Sequence, residues 1–121
     1  MYNLKKNHKI YVAGSNGMVG TAICNLLNKK GFTKQKNNLL VNSRKELELT
    51  NTKEVDIWFR ENKPDFVILA AAKVGGIFAN NNYPVEFLLD NLKIQNNVIE
   101  ASWRNKVKRL LFLGSSCIYP K

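Results

Sequence analysis

Cysteine and proline are scarce in this sequence, which has two cysteines, Cys24 and Cys117, and three prolines in 121 residues. Two cysteines cannot build a disulfide framework, and neither has a second metal-ligating side chain at a spacing that zinc sites use. We therefore expect no disulfide scaffold and no bound metal.

Long apolar runs are also absent, since apolar segments such as residues 110–113 are short. A helix that crosses a bilayer needs about 20 apolar residues. The basic first residues lead directly into a strand-like segment rather than into the apolar stretch of a signal peptide. The sequence therefore predicts no membrane contact, and we expect a cytoplasmic protein.

Acidic side chains are few, with 9 Asp and Glu against 19 Lys and Arg and a formal net charge of +10. Such a surplus of positive charge suits a polyanionic partner. However, the lysines are spread along the whole chain, and no aromatic residues alternate with them as in nucleic-acid platforms. We therefore predict no nucleic-acid binding, although the positive field would help to attract a phosphorylated ligand.

What the sequence does contain is a regular alternation of strand-like and helix-like segments. Short apolar runs predict strands at residues 9–13, 39–41, 66–72 and 109–113. Apolar spacing and capping residues predict helices that begin near Met18, Asn51 and Pro84. This order predicts an α/β fold, with one domain over residues 1–121 and a doubly wound parallel sheet that carries helices on both faces.

The same patterns give expectations about burial and about the connecting segments. The strands at residues 66–72 and 109–113 are typical of strands buried within a parallel sheet. We expect residues 80–84 to form a loop, and residues 46–49 could add a short strand. The helix from Pro84 is expected to bury one face, made by Leu88, Leu92, Val98, Ile99 and Trp103.

A glycine pattern lies between the first predicted strand and the first predicted helix. Gly14, Gly17 and Gly20 have the spacing GxxGxxG, and they enclose Ser15, Asn16, Met18 and Val19. At this position, the first glycine allows a tight turn, the second a close approach of a pyrophosphate, and the third close helix packing. Free amides at the helix N-terminus then face the anion. The pattern therefore predicts a dinucleotide-binding loop.

The residues after the second predicted strand bear on which dinucleotide is bound. Sites that prefer NAD usually carry an acid there, which bonds the ribose 2′-hydroxyl, whereas NADP sites carry a basic group. Here Arg44 follows Ser43, and its planar guanidinium could pair with a 2′-phosphate. The sequence favours NADP, with a surface arginine unrelated to the cofactor as the alternative in so basic a chain.

Two further segments follow strands and are rich in small residues, and each alone could be an ordinary turn. They are LAAAKVGGIFANNNYP, which contains Ala70 and Ala71, and LLFLGSSCIYPK, which ends the sequence. Together with the glycine loop AGSNGMVG, they closely resemble the GDP-L-fucose synthase family of extended short-chain dehydrogenases/reductases, also classed among the NAD-dependent epimerases/dehydratases. The resemblance covers residues 9–121 and implies a Rossmann-type fold.

The resemblance implies conversion of GDP-4-dehydro-6-deoxy-D-mannose to GDP-L-fucose by 3,5-epimerisation and NADPH-dependent reduction of the 4-keto group, in a homodimer. Residues 14–20 would bind the pyrophosphate. Ser115 would donate a hydrogen bond to the reacting oxygen, and Cys117 would act as acid or base in the epimerisation. The rest of the cofactor would contact Arg44, Lys45, Glu46, Leu47, Glu48 and Leu49 on the adenosine side, Ala70 and Ala71, and Leu113, Gly114, Ser115 and Ser116 on the nicotinamide side.

The sequence departs from the family in two respects. Ser15 and Asn16 stand where the family commonly has His-Arg, which removes one contact to a 2′-phosphate and weakens the preference for NADP. The catalytic YxxxK pair and the substrate domain would lie beyond Lys121, so we expect an incomplete, inactive Rossmann domain whose last strand is an open edge. The alternatives are a non-catalytic NADP-binding fragment or subunit, and the N-terminal part of another sugar-nucleotide epimerase or dehydratase.

Overall fold

In the computed structural model, which describes residues 3–73 and 77–114, strands and helices alternate along the chain. The elements are β1 (Ile10–Ala13), α1 (Met18–Lys29), β2 (Leu39–Leu40), α2 (Thr52–Asn62), β3 (Phe66–Leu69), α3 (Ile77–Asn82), α4 (Pro84–Arg104) and β4 (Arg109–Phe112). Within these residues the sheet has the order β2-β1-β3-β4, and every pair is parallel. The predicted α/β fold with a parallel sheet is confirmed.

Helices cover both faces of the sheet because alternate residues of β1 point to opposite sides. Tyr11 and Ala13 belong to a core cluster that α2 and α4 complete. Ile10 and Val12 belong to a second cluster that Leu27 of α1 completes on the other face. Since β1 lies between β2 and β3, its carboxyl end is the switch point at which such sheets bind ligands.

The predicted start and end of α2 are confirmed. The side chain of Asn51 accepts hydrogen bonds from the backbone amides of Lys53 and Glu54, both at 3.2 Å, and so caps the helix. At the other end, Lys63 adopts a left-handed conformation with φ 49°, and Pro64 follows. The chain therefore turns sharply from α2 into β3.

Two of the predicted connecting segments differ from the structure. Residues 46–49 do not form a strand, because the amides of Glu46 and Leu47 donate back to the carbonyl of Ser43 at 3.1 and 3.0 Å and close a turn there. Residues 80–82 belong to α3 rather than to a loop. The side-chain amide of Asn82 donates to the carbonyl of Phe78 at 2.7 Å, which supports the end of that helix.

The predicted buried face of α4 is wrong in four of its five residues. The buried residues of α4 are Ile94, Asn97, Val98, Ala101 and Ser102. Of the predicted residues only Val98 is buried, whereas Leu88, Leu92, Ile99 and Trp103 are 60%, 42%, 44% and 77% exposed. The helix carries apolar residues on more than one side, and the side that contacts α2 and β3 is the one that is buried.

The predicted full burial of the last two strands is also wrong for the described residues. In β3, Val67 and Leu69 are buried beneath α4, but Phe66 and Ile68 are only partly buried on the face of α1. In β4, which is an edge of the described sheet, Leu111 and Phe112 are exposed. Among residues 3–73 and 77–114, no helix combines the length and the apolar character needed to cross a membrane.

Candidate functional site

The glycine loop is closed against the segment that follows β3. Gly14 has φ +84°, a conformation that side chains other than glycine rarely adopt, and a Cβ on it would lie 2.6 Å from the backbone nitrogen of Ala71. A Cβ on Gly20 would overlap the carbonyl oxygen of Gly14. Glycines at both positions are therefore required for α1 to approach the end of β1 this closely.

The start of α1 is open to an anion. Gly17 caps the helix without a side-chain hydrogen bond, and the first turn holds no acidic residue. The first amides of a helix have no partner within it, so those at Met18 and Val19 remain available to a ligand. The hydroxyl of Thr21 donates to the carbonyl of Ser15 at 3.1 Å, which holds the loop against the helix.

A cavity of about 240 Å³ lies beside this loop. Its lining comes from the ends of β1, β2 and β3 and from α4: Gly14, Ser15, Asn16, Gly17, Asn42, Ser43, Arg44, Leu47, Glu48, Leu49, Thr50, Ala70, Ala71, Ala72, Lys73, Asp90 and Ile94. Ligand cavities usually measure ~300–1,000 Å³, so this one would enclose part of a dinucleotide.

Most of the predicted cofactor residues therefore come together, although some do not reach the cavity. Among the described residues, the predicted ones outside its lining are Met18, Val19, Gly20, Lys45, Glu46, Leu113 and Gly114. Glu46 is exposed, and its carboxylate accepts a hydrogen bond from the amide of Ser43 at 2.5 Å, which lowers the pKa of Glu46. Its role within the structure is thus to close the turn after β2.

Arg44 and Glu48 form an ion pair on the cavity wall. The Nε of Arg44 lies 2.8 Å from Oε2 of Glu48, and the two side chains are 69% and 35% exposed. The other carboxylate oxygen of Glu48 accepts from the hydroxyl of Thr50 at 2.9 Å. The hydrogen bond from Arg44 is the largest cause that lowers the pKa of Glu48, so this carboxylate is ionised near neutral pH.

The segment after β3 is attached to α4 through Lys73, a contact that no sequence pattern predicts. The backbone amide of Lys73 donates to Oδ1 of Asn91 at 2.7 Å, and the amide nitrogen of Asn91 donates to the carbonyl of Lys73 at 2.9 Å. The ammonium group of Lys73 lies 2.6 Å from Oδ2 of Asp90, whose pKa it lowers. This double attachment fixes the backbone just beyond Ala71.

Asn42 is a second cavity residue that no sequence pattern predicts. The buried hydroxyl of Tyr11 donates to Oδ1 of Asn42 at 3.0 Å, while burial raises the pKa of Tyr11 well above its usual range. The side-chain nitrogen of Asn42 is buried without a hydrogen-bond partner among the described residues. A buried donor without a partner is costly, so a ligand acceptor at this position would be stabilising.

On the predicted nicotinamide side of the site, the structure describes Leu113 and Gly114. The amide of Leu113 donates to the carbonyl of Leu69 at 3.2 Å, which continues the pairing of β4 with β3. At Gly114, no atom of the described residues other than its chain neighbours lies within 4 Å of the position of a Cβ. The predicted residues Ser115, Ser116 and Cys117 lie outside the described residues.

The half-buried Cys24 packs against the core cluster on the α1 face, and burial raises the pKa of its thiol. These features are typical of a structural cysteine. In the part of the chain that the structure describes, no three His, Cys, Asp or Glu side chains are grouped so that they could hold a metal ion.

The strand order, the glycine loop at the switch point and the open start of α1 together define a dinucleotide-binding domain of the Rossmann type. Residues 10–121 match the NAD dependent epimerase/dehydratase family. The chain belongs to this family.

Curated relatives of known name are similar over nearly the whole chain. GDP-L-fucose synthase 1 of Arabidopsis thaliana is 54% identical over 116 residues, which are 96% of this chain and 35% of the relative. GDP-L-fucose synthase of Escherichia coli K12 is 47% identical over 113 residues, which are 93% of this chain and 34% of the relative. The predicted resemblance is confirmed, and the chain spans about a third of the length of these relatives.

Solved structures show the same similarity. A GDP-D-glycero-L-gluco-heptose synthase from Campylobacter jejuni, determined in the presence of NADPH, is 44% identical with a TM-score of 0.89, over 98% of this chain and 34% of that one. A GDP-L-fucose synthetase from Naegleria fowleri bound to NADP is 26% identical with a TM-score of 0.82, over the same shares of the two chains.

Proposed function

We propose that this chain is the NADP-binding part of an enzyme that converts GDP-4-dehydro-6-deoxy-D-mannose to GDP-L-fucose, by 3,5-epimerisation and reduction of the 4-keto group, in the cytoplasm. The observation that carries the proposal is the glycine loop. Its first glycine, Gly14, contacts Ala71, and both residues line a cavity that Arg44 also lines. The identity of 47–54% to GDP-L-fucose synthases supports the choice of reaction.

The described residues fit NADP along much of its length. The amides of Met18 and Val19 would donate to the pyrophosphate, which the glycines at positions 14 and 17 allow to approach the backbone. Arg44 would bind the 2′-phosphate, and Asn42 offers a buried donor at the cavity wall. Leu113 and Gly114, which continue β4 beyond Leu69, would lie along the nicotinamide side.

For the chemistry, NADPH would supply the hydride, and the chain would supply two side chains that lie outside the described residues. Ser115 would donate a hydrogen bond to the sugar oxygen as negative charge develops on it. Cys117 would remove or return a proton beside the keto group, a task that suits a thiol with a pKa near the working pH. Ser116 would contact the cofactor.

The first experiment measures binding of NADP to the purified chain by isothermal titration calorimetry. We expect one site per chain that is lost in Gly14→Ala, because the added Cβ would collide with the backbone at Ala71. Failure of the wild-type chain to bind NADP at millimolar concentration would contradict the proposal. Sugar chemistry is tested separately, by following GDP-L-fucose formation from the keto sugar and NADPH.

A second candidate shares the cofactor but differs in the sugar. Campylobacter jejuni proteins named as a GDP-D-glycero-L-gluco-heptose synthase and a GDP-mannoheptose C4 reductase are each 44% identical to this chain. Oxidation of NADPH with a GDP-linked keto-heptose, but not with the deoxy-mannose derivative, would favour this candidate. NADP binding without turnover of either sugar would favour a non-catalytic NADP-binding fragment or subunit.

We also propose that the intact enzyme forms a homodimer through α4. An outward row of apolar side chains follows this 21-residue helix, at the three- and four-residue spacing of one helix face: Val85, Leu88, Leu89, Leu92, Ile99 and Trp103. Exposed apolar patches of this kind mark contact surfaces. A second copy of the chain could cover the row with the same row of its own, as a two-fold interface requires.

A further inference from the structure

We propose that Glu48 is a second specificity determinant of the cofactor site, so that Arg44 and Glu48 together allow the site to accept NAD as well as NADP. This inference rests on the proposed binding of a nicotinamide dinucleotide and deepens it. An arginine alone at the end of the second strand would select for a 2′-phosphate, whereas an acid alone would select for a free 2′-hydroxyl. This chain has both, in contact with each other.

The contact between Arg44 and Glu48 is a specific hydrogen bond, and Glu48 is held by further ones. Arg44 uses its Nε to bond Oε2 of Glu48 at 2.8 Å, and both side chains line the cavity beside Ser15 and Asn16. The other oxygen of Glu48 accepts from both the hydroxyl and the backbone amide of Thr50, at 2.9 and 3.3 Å. The carboxylate is therefore held from two sides and keeps its position at the cavity wall.

The two cofactors would meet this pair differently. Because Glu48 engages only Nε, the two terminal nitrogens of Arg44 remain available to a 2′-phosphate. The phosphate would then lie close to the carboxylate of Glu48, and the like charges would oppose binding. With NAD, the same carboxylate would accept a hydrogen bond from the 2′-hydroxyl. The pair thus reduces the discrimination that Arg44 alone would give.

A second ion pair in the chain provides a control for the effect of removing an ordinary surface pair. Arg60 and Asp56 have the same four-residue spacing, and a terminal nitrogen of Arg60 lies 3.0 Å from Oδ2 of Asp56. Their side chains are 63% and 32% exposed. Both residues lie on α2 and neither lines the cavity. Asp56→Asn therefore removes a matched ion pair without touching the proposed cofactor site.

The test compares the dissociation constants of NAD and NADP, measured by calorimetry, for the wild-type chain and its variants. In Glu48→Gln the ratio of the NAD constant to the NADP constant should rise about fivefold, because an exposed charge contact is removed. In Arg44→Gln it should fall by at least about tenfold, because a charge-assisted contact to phosphate is lost. In Asp56→Asn the ratio should not change.

The outcomes distinguish this inference from the proposed function. If the wild-type chain binds neither dinucleotide, both fail. If it binds NADP and Glu48→Gln leaves the ratio unchanged, the inference fails and the proposed function stands. Should Glu48→Gln unfold, Glu48→Asp provides the second variant, since it withdraws the carboxylate from Arg44 and should raise the ratio to a smaller extent.

Discussion

The side chain of Asn97, buried in α4, donates a hydrogen bond to the carbonyl of Leu49 at 2.9 Å. Its amide oxygen accepts from the hydroxyl of Thr52, also at 2.9 Å. One residue of α4 therefore holds both the end of the segment that carries Arg44 and the first residue of α2. The wall of the cavity depends on a helix that is distant in sequence.

Replacing the side-chain amide of Asn97 should loosen the adenosine side of the site. Asn97→Leu keeps the volume but leaves the carbonyl of Leu49 without its buried donor, so the free energy of unfolding should fall by about 2 kcal/mol. NADP should also bind less tightly. Urea denaturation and calorimetry measure the two effects.

Asn105→Leu is the control, because the side chain of Asn105 donates to the carbonyl of Ala101 within the same stretch of chain and does not line the cavity. Equal loss of NADP affinity in this variant would refute a positioning role for Asn97.

Gly14 and Gly31, the two glycines with a positive φ among residues 3–73 and 77–114, should respond differently to alanine. Gly14 and Gly31 have φ of +84° and +87°, so alanine at either costs about 1–2 kcal/mol in backbone strain. Only Gly14 also meets backbone, at Ala71, whereas Gly31 meets the flexible side chain of Lys6. We expect both variants to lose stability and only Gly14→Ala to lose NADP binding, as thermal unfolding and calorimetry would reveal.

Asp65 should make stability depend on pH in the acid range. Burial tends to raise the pKa of Asp65, but hydrogen bonds from the Lys108 ammonium and the Lys9 amide, at 2.8 and 2.9 Å, outweigh it and lower the pKa. A carboxyl whose pKa is lower in the folded state than in the unfolded state stabilises the protein at pH values above the unfolded-state pKa. This stabilisation is lost as the pH falls through the folded-state pKa.

Asp65→Asn should therefore be about 1 kcal/mol less stable than wild type at neutral pH. The difference should shrink below about pH 4 and disappear once the carboxyl is protonated in both states. Denaturant titrations over this range measure the effect. A difference that stayed constant with pH would mean that the charge of Asp65 contributes nothing.

Self-association should depend on the outward side of α4. The double change Leu88→Lys and Leu92→Lys places two charges in the apolar row, and the dissociation constant of the dimer should rise at least about 100-fold. Sedimentation equilibrium measures this constant. Leu26→Lys on α1, where Leu26 is 55% exposed, is the matched control and should leave association unchanged. An unaffected dimer in the double variant would locate the interface elsewhere.

Much of the fold could be predicted because its signals are local. The cap at Asn51, the stop before Pro64 and the glycine loop each depend on residues within a few positions of one another, and the structure agrees with all three. The buried face of α4 could not be predicted, since Leu88 and Val98 are equally apolar. Only the position of α2 and the sheet decides that Val98 is buried and Leu88 exposed.

In the candidate site, too, the local features could be predicted from the sequence and the contacts between distant segments could not. The loop from Gly14 to Gly20 follows from spacing, and so does the choice of Arg44. The contacts of Lys73 with Asp90 and of Asn97 with Leu49 join segments 17 and 48 residues apart, and no periodicity relates such pairs. Even the pairing of Arg44 with Glu48, only four residues away, could not be predicted, because the sequence of residues 46–49 is also compatible with a short strand.

The contact between Gly14 and Ala71 also determines when the cofactor pocket can form during synthesis of the chain. During synthesis the amino-terminal part of a chain emerges first, so the glycine motif leaves the ribosome long before β3 exists to pair with β1. Pairings between distant segments form late, because a long loop must close first. A nascent chain that reaches only to the end of α2 thus carries the motif without its pocket, and the cofactor can stabilise the protein only after β3 has been added.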